Sequence, residues 1–247
     1  MDRREFDGKV VLVTGAGSGI GRSHAMHFAG LGATVIVHDV DAARVREVVD
    51  GAVDAGGRAV PLIADVSQCT RFRAGIERVG DELGGIDVLV NNVGIAADCP
   101  LEAITADAFD VAFRVNVLSS LVATQAVVGT MKARRRGKIV NTSSNWGLTG
   151  QADSSLYAAT KAALLGFTKS WARELAPWSI NVNCVAPGGI RTDLLLASEA
   201  RLNGIPLGRY GEPADVSNLV EFLASDRSSY MTGNVLGLTG GELMVGA

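Results

Sequence analysis

Apolar positions along the chain fall into two alternating patterns. Short runs of β-branched and aliphatic residues recur at Lys9–Val13, Ala33–Val37, Ala59–Ala64, Ile86–Val90, Lys138–Val140, Ile180–Val185 and Val235–Leu238. Several are apolar throughout, the mark of parallel strands buried on both faces. Helical spacing fills the stretches between. Val45, Val48, Val49, Ala52 and Val53 form an i, i+3, i+4, i+7, i+8 stripe. Gly56-Gly57 and Gly84-Gly85 stand where left-handed helix ends are expected, and Pro213 stands at the first position of a helix. Strand–helix alternation over the whole length, without repeat or linker, predicts one doubly wound α/β domain over residues 1–247.

Composition narrows the function classes. A chain of 247 residues, 47% hydrophobic, can bury a large core. A net charge of −3 supplies no field for nucleic acid or an anionic membrane. No uninterrupted apolar run reaches 18 residues, so no spanning helix is expected. Met1-Asp2-Arg3-Arg4-Glu5 leads into no long apolar segment, so no secretory signal is expected either. Cys69, Cys99 and Cys184 are odd in number and lack CxxC spacing, which suits free thiols in a reducing cytoplasm. His24 and His27 are three apart on the first helix, but no third ligand of suitable spacing accompanies them. Their expected role is structural, and no metal is expected.

Directly after the first strand comes Thr14-Gly15-Ala16-Gly17-Ser18-Gly19-Ile20-Gly21. Glycines let such a turn approach a pyrophosphate closely, and the next helix aims its N–H groups and dipole at that charge. The position between a strand and a helix is the context that gives a glycine loop this meaning. Gly15, Ser18, Gly19, Ile20 and Gly21 are therefore candidate cofactor contacts. Asp39 ends the second strand, 18 residues past Gly21, where a carboxylate can bind both hydroxyls of an adenosine ribose and repel a 2′-phosphate. No arginine follows it until Arg44, so NAD(H) is expected over NADP(H). A competing reading makes Asp39 the cap of a helix starting near Asp41.

Tyr157 and Lys161 are four apart on a predicted helix and share a face. An ammonium beside a phenol favours the phenolate, so Tyr157 is expected below its ordinary value of about 10. Ser144, thirteen residues upstream in a Ser/Gly/Asn-rich segment, could hydrogen-bond the same reacting oxygen. By itself a tyrosine–lysine pair is more often an ordinary exposed helical pair.

Together these landmarks resemble the short-chain dehydrogenase/reductase family, including its 3-oxoacyl-acyl-carrier-protein reductases and secondary-alcohol dehydrogenases. The match runs through Thr14-Gly15-x-x-x-Gly19-x-Gly21, Asp65-Val66, Asn91-Asn92-Val93-Gly94, Asn116, Ser144, Tyr157-x-x-x-Lys161 and Pro187-Gly188 leading to Thr192. The resemblance implies a Rossmann fold with a seven-stranded parallel sheet in the order 3-2-1-4-5-6-7. It implies adenine contacts from Asp65 and Val66, a cleft lined by Asn92 and Gly94, and carboxamide contacts from Ile190 and Thr192. It also implies a catalytic tetrad of Asn116, Ser144, Tyr157 and Lys161, with Asn116 anchoring a relay water, and a homotetramer. The chain departs from the family at Val93, usually alanine, and at Leu238-Thr239-Gly240-Gly241, usually hydrophobic-Asp-Gly-Gly.

The expected activity is hydride transfer between NAD(H) and a secondary alcohol or ketone, a small molecule that the sequence does not name. One alternative is 3-oxoacyl-acyl-carrier-protein reduction, for which Arg134-Arg135-Arg136 would be a docking patch instead of a solvated helix end. Another is a non-catalytic dinucleotide sensor, disfavoured because Tyr157 and Lys161 are both present. Trp146, two residues after Ser144, is equally a pocket or a packing residue. Trp171 and Trp178 read as interface residues. A small substrate lid is expected at about 193–212, carrying Leu194-Leu195-Leu196.

Overall fold

Strand residues covered on both faces must be apolar on both, and the computed structural model shows where each face goes. It describes residues 5–192 and 204–244. Seven strands form: β1 (Val10–Thr14), β2 (Thr34–Asp39), β3 (Arg58–Ile63), β4 (Val88–Asn91), β5 (Gly137–Thr142), β6 (Ile180–Pro187) and β7 (Val235–Leu238). All pair in parallel, in the order β3-β2-β1-β4-β5-β6-β7. The helices are α1 (Gly19–Gly30), α2 (Ala42–Asp54), α3 (Cys69–Glu82), α4 (Ala106–Phe113), α5 (Ser119–Arg134), α6 (Trp146–Thr149), α7 (Ser155–Leu175) and α8 (Pro213–Ala224).

Successive strand residues point to opposite faces, so β1 feeds two cores. Val11 and Val13 pack with Phe28 of α1, Val45 and Val48 of α2 and Val216 and Val220 of α8. Val10 and Leu12 pack with Phe72 and Ile76 of α3, Val127 and Met131 of α5 and Trp171 of α7. Within the α2 stripe, Val45, Val48 and Ala52 are buried, whereas Val53 at its margin is 51% exposed. Gly56, Gly84 and Gly85 take the left-handed conformation expected of helix ends. Gly57 does not; a Cβ there would stand 2.9 Å from that of Ala29. Pro213 opens α8, with Glu212 and Asp215 forming a capping box.

Strand β5 runs on past Val140 because its polar end is satisfied inside the fold. The Asn91 side chain donates to Asn141 Oδ1 at 2.9 Å, and Asn141 Nδ2 donates to Thr168 at 2.8 Å. Helices α4 and α5 join through a π-helical turn, Arg114–Leu118. The resulting run, Ala106–Arg134, is by length and composition apolar enough to cross a membrane, although no single apolar stretch signals it. Half of its most apolar window is buried, and Val122, Ala123, Val127 and Met131 pack under the sheet, which accounts for its apolarity.

Contacts within the chain bear on three local expectations. The arginine cluster ends α5, and each of its side chains also has a partner within the chain. Arg134 donates to the carbonyls of Gly84 and Ile86, and with Arg136 it pairs with the buried Asp87. Arg135 donates to Pro177 O and lies over the Trp178 ring. Trp171 is buried and stacked on Phe167 at 4.7 Å, a core residue instead of an interface residue. His24 and His27 each have a partner on α8: Ser217 at 2.9 Å and Glu221 at 2.9 Å.

Candidate active site

The C-terminal ends of the parallel strands open into one cleft of about 1110 Å³, the usual place for a ligand in an open α/β sheet. At its near wall β1 turns through Gly15, which has φ +65°, into the N-terminus of α1. Gly21 admits no side chain: a Cβ would lie 1.9 Å from Gly15 O. Asn92, just past β4, donates to the carbonyls of Thr14 and Gly15, both at 3.1 Å, and so ties the loop to the sheet. His38 adds a second tie. Its Nδ1 accepts the Gly15 N–H at 3.4 Å, and its Nε2 lies 3.1 Å from Ala64 O, which fixes Nε2–H as the donor. Burial pulls this imidazole down to about 4, so it stays neutral and keeps its acceptor.

Asp39 does not cap α2. That cap is Asp41, which accepts from Ala43 N at 2.9 Å and Arg44 N at 3.2 Å. Asp39 instead accepts the Gly17 N–H at 3.0 Å and faces the cleft. Asp65 and Val66 line the same end, where hydrogen bonds from Ser67 hold the Asp65 carboxyl below its ordinary value. The first turn of α1 carries no acidic residue, and its N-cap Ser18 makes no side-chain cap. A helix start of this kind, flanked by Asp39 at one end and Asn92 and Gly94 at the other, fits a dinucleotide. Gly15, Ser18, Gly19, Ile20, Gly21, Ile190 and Thr192 all line the cleft. The expected lid lies largely outside the described residues, Leu194 to Leu196 entirely so.

At the far end stand Ser144, Tyr157 and Lys161, brought together by β5 and α7. Lys161 is buried, donates to Thr142 O at 3.0 Å and lies 5.6 Å from the Tyr157 ring centroid. Gly94 leaves it room, since a Cβ there would stand 3.0 Å from the ammonium. Asn116, on the π-helical turn, accepts from Ile95 N at 2.8 Å and donates to Ile95 O and Thr160, both at 3.0 Å. Its amide thus clamps the segment after β4 against α7. Trp146 meets Tyr157 edge to face at 6.0 Å and lines the cleft.

The electrostatics correct the expectation for Tyr157. Burial pushes its phenol up to about 12; a hydrogen bond with Ser144 pulls it down, and the Asp98 charge pushes it further up. Burial also pulls Lys161 down to about 8, opposed by Cys184. Taking both groups out of water disfavours both charged forms, and in this environment that outweighs their proximity.

Among the charged cleft residues, Glu242 carries no short motif and escaped sequence reasoning. Glu242 directly follows the double glycine Gly240-Gly241, and that departure from the family ending was the available signal. Thr239 takes over there by bonding the backbone of Leu243 through its hydroxyl at 3.2 Å.

Comparison with known proteins agrees with this geometry. The family model described as short chain dehydrogenase matches residues 9–202. The 3-oxoacyl-[acyl-carrier-protein] reductase FabG of Thermotoga maritima is 42% identical over 96% of this chain and 98% of its own length. The cyclohexanol dehydrogenase of Rhodococcus sp. is 37% identical over 97% and 98%. A crystal structure of a 3-oxoacyl-[acyl-carrier protein] reductase with bound NAD from Brucella melitensis superposes with a TM-score of 0.91. It is 36% identical, and the match covers 99% of this chain and 94% of that one.

Proposed function

The chain belongs to the short-chain dehydrogenase/reductase family, oxidoreductases of CH–OH and keto groups, and on that premise we propose that it transfers a hydride between NAD(H) and a secondary alcohol or ketone. The observation that carries the reading is the convergence of Ser144, Tyr157 and Lys161 at one end of a cleft whose other end is Asp39.

The bound nicotinamide supplies the hydride chemistry at its C4 and, when oxidised, a positive charge. Tyr157 gives or takes the proton of the substrate oxygen. Ser144 hydrogen-bonds that oxygen and stabilises negative charge as it develops. Lys161 would hold the nicotinamide ribose hydroxyls of a bound cofactor and would add its charge to the field on Tyr157. Asn116 keeps the segment after β4 in place beside them and anchors a relay water. Electrophilic assistance from Ser144 and Tyr157 leaves no step that needs a metal.

Preference for NAD(H) is supported by the charges around Asp39. Arg44, whose stem lies against Gly17, pairs with Asp41 at 3.5 Å, and Arg22 pairs with Glu47 at 2.9 Å. Both cations are thus partnered by carboxylates instead of presented to a 2′-phosphate. The test compares NADH and NADPH at equal concentration on a ketone panel; preference for NADPH would remove this part of the proposal.

The second reading, 3-oxoacyl-acyl-carrier-protein reduction, is favoured by the name of the Thermotoga relative. Against it, the three arginines suited to a carrier are engaged within the chain. Acetoacetyl thioesters assayed beside cyclic ketones separate the two. A cytoplasmic homotetramer remains part of the proposal, supported by three free cysteines and by Phe109 and Val111, about half exposed on α4. Sedimentation analysis tests the assembly.

A further inference from the structure

Asn145 is buried at the reacting end, and its amide has one defined orientation. The Trp146 N–H donates to its Oδ1 at 2.9 Å, so Oδ1 is the acceptor and Nδ2 the donor. The Ser144 hydroxyl donates to that same Oδ1 at 3.1 Å. Asn145 Nδ2 donates to Glu242 Oε2 at 3.1 Å, across 97 residues of chain. Glu242 also lies against Gly188, where a Cβ would stand 2.9 Å from the same oxygen. One amide group therefore separates a carboxylate from the serine that meets the substrate oxygen.

Nothing in the described part of the cleft neutralises that carboxylate. Among the described lining residues Lys161 is the one Lys or Arg, and it is buried against Thr142 O. The other carboxylate at this end, Asp98, accepts from Ser154 at 2.7 Å and adds negative charge beside Tyr157. A substrate whose carbonyl oxygen lies on Ser144 brings its substituents into the cleft that Glu242 also lines, one Asn145 amide away from that carboxylate. At that range a second anion is repelled, while a hydroxyl or ammonium group can donate to a carboxylate oxygen.

We infer that Glu242 determines specificity: the site rejects substrates with a carboxylate near the reacting carbon and favours those with a hydroxyl or ammonium group there. The inference rests on the ketone/alcohol reading and adds the chemical class of its substrate.

Acetoacetate and methyl acetoacetate, which differ in one charge, are the probes, each reduced with NADH and with NADPH. The wild-type kcat/KM should favour the ester by roughly tenfold or more, and the gap should narrow as salt rises and screens the repulsion. E242Q keeps an acceptor for Asn145 and removes the charge. It should raise the acid-to-ester ratio of kcat/KM roughly tenfold, a ratio in which intrinsic differences between the two ketones cancel. Parity of acid and ester in the wild-type enzyme, or a salt-independent gap, overturns the inference even if the variant fails to fold. So does an E242Q ratio within twofold of wild type, with the ketone reading left standing. Absence of turnover on both probes and on cyclohexanone removes the ketone reading and the inference together.

Discussion

The carboxylate of Asp39 accepts the N–H of Gly17 at 3.0 Å, so the residue proposed to read the ribose also braces the glycine loop. Asp39→Ser should weaken both functions. A charge-assisted contact of this kind is worth about 1.5–3 kcal/mol, so the KM for NADH should rise roughly tenfold to a hundredfold. The KM for NADPH should change less, because the repelled phosphate gains what the loop loses. Steady-state kinetics with both cofactors check this; an unchanged NADH-to-NADPH ratio contradicts it.

Tyr157→Phe removes the proposed proton donor and leaves the ring that meets Trp146. Turnover should drop by roughly two to four orders of magnitude, the size of a general acid–base contribution. NADH binding, followed by fluorescence titration, should stay within a few-fold. Near-normal kcat would take Tyr157 out of the mechanism.

Asp98 supplies a pH test. Its charge pushes the Tyr157 phenol further up, so removing it favours the phenolate. In the proposed mechanism alcohol oxidation uses Tyr157 as a base, so the rising limb of its pH profile should move to lower pH in Asp98→Asn. Profiles of kcat/KM against pH for both proteins decide the point, and a shift upward would reverse the assignment.

Stability should fall in mild acid. Burial holds His24 at about 3 and His38 at about 4, whereas in the unfolded chain both titrate near the ordinary 6.5. Between those values the unfolded chain binds the extra protons, so stability is lost as pH drops from 6.5. The loss amounts to roughly 3 kcal/mol per histidine by pH 4, on the scale of about 1.4 kcal/mol per unit. Urea unfolding at pH 7, 5.5 and 4.5 measures it; a flat curve would be incompatible with neutral buried histidines.

Asp87 joins the start of β1 to the end of α5. It accepts the Val10 N–H at 2.9 Å and pairs with Arg134 and Arg136 at 3.2 and 3.4 Å. Asp87→Ala should cost about 2–4 kcal/mol, since it strands a buried N–H and unpairs two guanidinium groups. Asp87→Asn should recover part of this by restoring the acceptor. Chemical denaturation of the three proteins ranks them.

Local chemistry determined much of this protein without any tertiary information. Apolar and β-branched runs placed all seven strands, and the central ones, buried on both faces, needed no partner to be recognised. The glycine loop from Thr14 to Gly21, Asp39 and the pair Tyr157–Lys161 were likewise visible, because their geometry repeats within a turn or one strand–helix unit. What the sequence could not contain was burial and the long-range partner. Lys161 beside Tyr157 suggests an acidic phenol, yet desolvation pushes that phenol up to about 12, and desolvation depends on everything packed around the pair. Arg134, Arg135 and Arg136 look like free charge until Asp87 and Pro177 arrive from other elements. Glu242 reaches Asn145, 97 positions away in sequence, only after β6 and β7 close the cleft. Spacing along a chain encodes local geometry, whereas the energy of a charge depends on the medium and neighbours that the whole fold supplies.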